Sequence, residues 1–122
     1  MVVSKLIQWM KERGWQGRPL LAVEVPNEQH RALTGTHRIT AARIVRLREI
    51  PVFVVSADHI AEAAAKAGIT SKEIVDTLMD CVGDVQRLVM LQTYGLTEAA
   101  AFVQDEIDAN ASDFESKLFI AA

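Results

Sequence analysis

The stretch Leu33-Thr34-Gly35-Thr36-His37-Arg38-Ile39-Thr40-Ala41-Ala42 holds the residue types best suited to gripping an anion. A glycine between an apolar strand and a helix lets the chain turn so that successive backbone amides converge on one point. The first turn of the following helix adds unpaired N–H groups and the positive end of its dipole, and a phosphate fits there. Arg38 can clamp phosphate oxygens through two parallel hydrogen bonds, while the Thr36 hydroxyl and the His37 imidazole are further donors. The expected ligand-holding set is therefore Gly35, Thr36, His37 and Arg38. The same residues also fit a plain glycine turn in which Arg38 is solvated and His37 packs at the helix start.

Other residues with chemical potential are less well grouped. Glu24 and Glu28 lie shortly before this loop and are of the type that serves as a general base, or are simply exposed loop acids. No catalytic residue is assigned. His30, His37 and His59 lack metal-ligand spacing on one element, and the single cysteine, Cys81, sits among Leu78, Met79 and Val82 as a small hydrophobe would, so no metal site is expected. Arg43 and Arg46 lie three apart on the helix after the loop, where they extend an anion-attracting surface or form a solvated face.

The elements that must position the loop follow from periodicity. Leu6, Ile7, Trp9 and Met10 recur at helical spacing over Ser4 to Arg13, and Gly14 is a stop signal. Gly17-Arg18-Pro19 reads as a turn into the apolar strand Leu20-Leu21-Ala22-Val23, and a second short strand is expected around His30 to Leu33. The helix after the loop is expected to run from about Ile39 to near Glu49, because the residue before Pro51 is pushed out of the α region. Pro51 to Val55 is β-branched and apolar, the pattern of a buried strand. After Ser56 the composition turns to alanine and acid. Helices are expected over Asp58 to Ala67, Ser71 to about Gln92, Thr97 to about Ala109, and from Asp113. Thr70 with Glu73 and Ser112 with Glu115 have capping-box spacing, Gly95 is a stop, and Gly83 marks a kink or a break. The division expected is a core at 1–57 followed by a helical extension at 58–122 packed on it.

Half of the 122 residues are hydrophobic and 24% are charged, which suits a folded chain with a real core and argues against disorder. No apolar run approaches the roughly 20 residues that span a bilayer, and the start of the chain is an amphipathic pattern broken by charges, unlike a secretory signal; a cytoplasmic location without membrane contact is expected. The net charge of −3 hides an asymmetry. Residues 1–57 carry nine basic and four acidic side chains, net +5, against four and twelve, net −8, in residues 58–122. The front suits an anionic partner, or the two halves attract one another. In the rear, Ile74, Leu78, Cys81, Val82, Val85, Leu88, Val89 and Leu91 make an apolar surface wider than one short helix needs. Phe102, Val103, Ile107, Phe114 and Leu118 cover part of it, and the remainder is either internal core or a homodimer face.

The order of strand, Leu33, Gly35, His37, Arg38, Ala41, Ala42, helix, and then Ile50-Pro51-Val52 leading into a strand resembles the core of the ParB N-terminal and sulfiredoxin-like superfamily over residues 4 to 56. The resemblance implies an α+β fold, a small ParB/sulfiredoxin-like mixed sheet with helices, here followed by an all-helical extension. It also implies a nucleotide (ATP, ADP or CTP) held by its phosphates at Gly35, Thr36, His37 and Arg38, with Mg²⁺ as a further cofactor. Sulfiredoxins place a nucleophilic cysteine where this chain has Thr36, so their thiol chemistry is not expected. ParB proteins have a second phosphate motif after the last strand that Ser56-Ala57-Asp58-His59-Ile60 does not match, and no basic recognition helix is evident. Free-serine kinases of the superfamily have a Gly-His-His-Arg loop, closer to Gly35-Thr36-His37-Arg38, but often an Asp where Thr34 stands. The expected function is a nucleotide- or phosphate-binding module that handles phosphoryl groups; the alternative is a non-catalytic adaptor binding DNA or a protein partner.

Overall fold

A computed structural model describes residues 3–34 and 36–121 of the chain, with side chains described over 4–34 and 37–109. The fold is α+β, six helices with a small three-stranded mixed sheet. The chain divides into two compact units, Met1–Ala57 and Asp58–Ala122.

In the first unit α1 (Val3–Arg13) precedes β1 (Leu20–Val23), β2 (Arg31–Ala32), α2 (Thr36–Ile44) and β3 (Val52–Val55). β1 lies in the centre, antiparallel to β2 and parallel to β3, with Leu20 opposite Val52 and Ala22 opposite both Ala32 and Val54. All four residues of β1 are buried, as the uninterrupted apolar run Leu20-Leu21-Ala22-Val23 requires. The ladder extends past the strand ends: the Leu20 amide donates to the Pro51 carbonyl at 3.0 Å and the Glu24 amide to Val55 at 2.9 Å. α1 packs on α2. Leu6, Met10, Ala41 and Ala42 form their shared core, with Ile7, Trp15, Val45, Leu47 and Ile50 packed around it. Trp9 stays 38% exposed, because the buried face of α1 is the narrower Leu6–Met10 stripe rather than the whole apolar set.

α2 ends at Ile44, earlier than the position near Glu49 expected from Pro51. The chain stops there by backbone geometry. Arg46 takes φ +59°, its amide donates to Arg43 at 3.2 Å, and the Leu47 amide reaches back to the Ala42 carbonyl at 3.0 Å. These are the two bonds of a Schellman motif, with Leu47 closing it onto the apolar cluster. The same pattern at the end of a later helix uses Gly95, at φ +71°, with Leu96 bonded to Leu91 at 2.9 Å.

The second unit contains α3 (Ala57–Ala67, its first residue shared with the first unit), α4 (Ser71–Asp80), α5 (Gly83–Thr93) and α6 (Thr97–Ala121). The capping box at Thr70 is present: Glu73 donates its amide to the Thr70 hydroxyl at 3.1 Å and accepts the Thr70 amide at 3.3 Å. The single helix expected from Ser71 to about Gln92 is two. Cys81 and Val82 are extended, and a new helix starts at Gly83, a residue type that disfavours a helix interior by about 1 kcal/mol relative to alanine. Conversely, the two helices expected from Thr97 onward are one, since nothing between Thr97 and Ala121 is a proline or glycine. The Ser112–Glu115 capping pair and the packing of Phe114 and Leu118 fall outside the residues whose side chains are described. α5 packs on α6 and on α4, with Ile74, Val75, Leu78, Leu91, Phe102 and Val103 buried.

Arg46 holds a left-handed conformation that costs a residue with a side chain about 1–2 kcal/mol. Arg46→Gly is expected to stabilise the protein by about 0.5–1 kcal/mol once the greater flexibility of unfolded glycine is set against that gain. Urea unfolding would read this as a rise in midpoint at constant slope.

Candidate anion-binding site

The region singled out in the sequence lies where β2 hands over to α2. Leu33 donates its amide to the Leu21 carbonyl at 2.8 Å, and Leu21 donates in turn to the Thr34 hydroxyl oxygen at 3.2 Å. Thr34 thus takes over from the backbone where β2 stops, and fixes the point at which the chain leaves the sheet. Gly35 and the Thr36 side chain lie outside the described residues. Thr36 is the first residue of α2, which has no acidic residue in its first turn, and His37 is exposed beside it. The positive end of the helix is therefore not masked by a carboxylate on the helix itself.

Arg38 is placed differently from a solvated phosphate clamp. Its side chain is half-buried and runs back to the turn between α1 and β1, where Nη1 donates to the carbonyls of Gln16, at 3.3 Å, and Arg18. The guanidinium carbon stands 5.0 Å from the centre of the Trp15 ring, in range for a cation–π contact. Trp15 donates its own Nε1 to the same Arg18 carbonyl at 3.3 Å. Gly17 lies under this arrangement at φ +87°, and a Cβ there would come within 3.2 Å of Arg38 Nη1. Two carbonyl oxygens and an aromatic face hold the guanidinium against the 15–18 turn.

Neither candidate base reaches this place. Glu24 is half-buried and its Oε1 accepts the Ala57 amide at 2.9 Å, so that it caps the first residue of α3. Glu28 is exposed and pairs with Arg31 at 2.8 Å. Among the described residues no group of three or more His, Cys, Asp or Glu is placed to hold a metal ion. Cys81 is half-buried and its Sγ donates to the Thr77 carbonyl at 3.3 Å. No helix among the described residues is long and apolar enough to cross a membrane.

Sequence reasoning missed the turn Trp15-Gln16-Gly17-Arg18 as a part of this site. The only signal was the Gly17-Arg18-Pro19 turn itself; that its carbonyls point at a guanidinium 20 residues away appears only in three dimensions. A consequence separates a brace from a solvated clamp. Arg38→Ala is expected to destabilise the protein by about 1–3 kcal/mol, from the loss of charge-assisted hydrogen bonds and the aromatic contact. Arg38→Lys should recover only part of this, since an ammonium lacks the planar fork. Denaturant unfolding followed by tryptophan fluorescence measures both, and a wild-type midpoint for Arg38→Ala would show that the brace contributes nothing.

Compared with known proteins, the chain matches no family model, no curated protein and no solved structure.

Proposed function

We propose that this chain is a ParB-like nucleotide- or phosphate-binding module in which Gly35, Thr36, His37 and Arg38 gather the phosphate oxygens at the start of α2. The observation that carries the reading is that α2 opens at Thr36, shortly after β2 ends at Ala32, with no acid in its first turn, His37 exposed, and the Arg38 guanidinium held against the 15–18 turn. In this reading the α2 amides and His37 contact the anion together with Arg38, which also holds the 15–18 turn in place. Mg²⁺ enters as a companion of the nucleotide phosphates, not through a cluster of protein carboxylates. Since Glu24 and Glu28 are engaged elsewhere, binding is the supported activity, and phosphoryl handling would depend on a base supplied by the second substrate or partner.

Titration with ATP, ADP, CTP and inorganic phosphate, with and without Mg²⁺, tests this directly. Wild-type protein is expected to bind at least one of them, and His37→Ala to weaken that binding by about 0.5–1.5 kcal/mol, the usual worth of one hydrogen bond, with little change in melting temperature. Failure of all four to bind would leave the alternative, an adaptor that meets DNA or a protein partner through the net +5 front.

A homodimer through the helical unit belongs to the same proposal. Val82, Val85 and Val89 are 80%, 66% and 52% exposed, and Met79 is 44% exposed. With Thr77, Cys81 and Met90, Val85 and Val89 line a groove of about 420 Å³ between α4 and α5. An isologous contact between two copies would cover this face. Val85→Asp and Val89→Asp are therefore expected to fold normally and to shift sedimentation from dimer to monomer; a wild-type monomer at micromolar concentration removes the dimer.

A further inference from the structure

The first unit contains a second concave surface, apart from the start of α2. In β1 the residues Leu20 and Ala22 point to one side of the sheet, because alternate residues share a face. The register carries that side across all three strands, since Val52 lies opposite Leu20 and Ala32 opposite Ala22. Facing it, α2 presents Ile39, Ala42 and Arg43, which share one helix face by their spacing of three and four. Leu47, Arg48 and Ile50 close one side, and His30 stands at the entrance to β2. These residues enclose a cleft of about 440 Å³, within the range of roughly 300–1,000 Å³ typical of small-molecule sites.

The composition of this cleft selects its occupant. Three alanines from three different elements, Ala22, Ala32 and Ala42, leave room that larger side chains would have filled. Val52 is 40% exposed, and Ile39 and Ile50 are half-buried, so the walls offer apolar surface to a guest. The only charged or titratable residues in the lining are Arg43, Arg48 and His30, all exposed, with no acid among them. None of the three has an ion-pair partner among the described residues. The α4–α5 groove differs in this respect, since it contains Asp80 and no cation.

We infer that the cleft between α2 and the sheet binds a small organic anion with an apolar body and a carboxylate head, the body lying over Ala22, Ala32 and Ala42 and the head meeting Arg43 and Arg48. Guanidinium groups suit a carboxylate because two N–H donors match its two oxygens. Short apolar side chains below and unpaired arginines at the rim discriminate against both an uncharged hydrocarbon and a small hydrophilic anion. The site does not depend on phosphate binding at the start of α2.

Octanoate, octanol and acetate, titrated into the full chain by calorimetry, separate the two contributions. Octanoate is expected to bind at least about tenfold more tightly than octanol, the scale of one charge-assisted interaction, and acetate more weakly than either. The double variant Arg43→Gln/Arg48→Gln changes only exposed side chains and should keep the wild-type melting temperature while losing the preference for octanoate over octanol. Ala32→Phe should fill the cleft and abolish binding of both. His37→Ala should leave octanoate binding unchanged, so that failure here and failure of nucleotide binding are told apart. Equal affinity for octanoate and octanol, or a double variant that binds octanoate as the wild type does, would overturn the assignment.

Discussion

The contact between Arg38 and the turn before β1 ties the start of the first unit to its middle. A helix in the middle of the unit reaches back through one guanidinium to two carbonyls and an aromatic ring that leave α1. Its geometry constrains several residues at once. Gly17 has a positive φ that favours glycine, and a Cβ there would stand 3.2 Å from Nη1 and press on the guanidinium. Trp15 must lie flat enough to accept the cation while its own N–H meets the Arg18 carbonyl. Carbonyls that end a turn would otherwise need water, so the guanidinium satisfies acceptors that the short connection leaves over. Once this joint is set, the start of α2 and the entry to β1 are fixed with respect to each other, and the strand that follows can pair with β3.

The sheet is held by a similar economy of polar groups. β2 has only two residues, and Thr34 provides by side chain the acceptor that a longer strand would provide by backbone. Glu24 closes the other end by accepting the Ala57 amide, one of the orphan donors at a helix start. This explains why an acid directly after an apolar strand, which in sequence suggests chemistry, has a structural role.

In the second unit, polar satisfaction is less complete. Arg87 is 7% exposed and pairs with Asp84 at 2.8 Å, yet its buried Nε has no hydrogen-bond partner among the described residues. α5 therefore buries a cation on one side while Val85 and Val89 remain exposed on another. The break at Cys81 and Val82 contributes to this distribution: in a continuous helix Ile74, Leu78, Val82, Val85 and Val89 would have shared one face, whereas here Ile74 and Leu78 are buried and Val82, Val85 and Val89 are exposed.

Local chemistry decided much of the fold without help. The starts of β1 and β3 follow from apolar runs that begin directly after Pro19 and Pro51, the stop of α1 from Gly14, and the start of α4 from the reciprocal bonds of Thr70 and Glu73; each depends on residues a few positions apart. The length of α2 did not, because Pro51 excludes a helix next to itself but does not say how far upstream the helix must end. There the packing of Leu47 onto the α1–α2 core selected a left-handed Arg46 against its intrinsic preference. The partners of Arg38 and Glu24 were equally out of reach, as a sequence shows which side chains are able to hydrogen-bond but not which distant backbone groups the fold leaves unpaired. The cleft is the clearest case: Ala22, Ala32 and Ala42 are ordinary small residues in three separate elements, and only strand register and helix placement bring them together beneath two arginines.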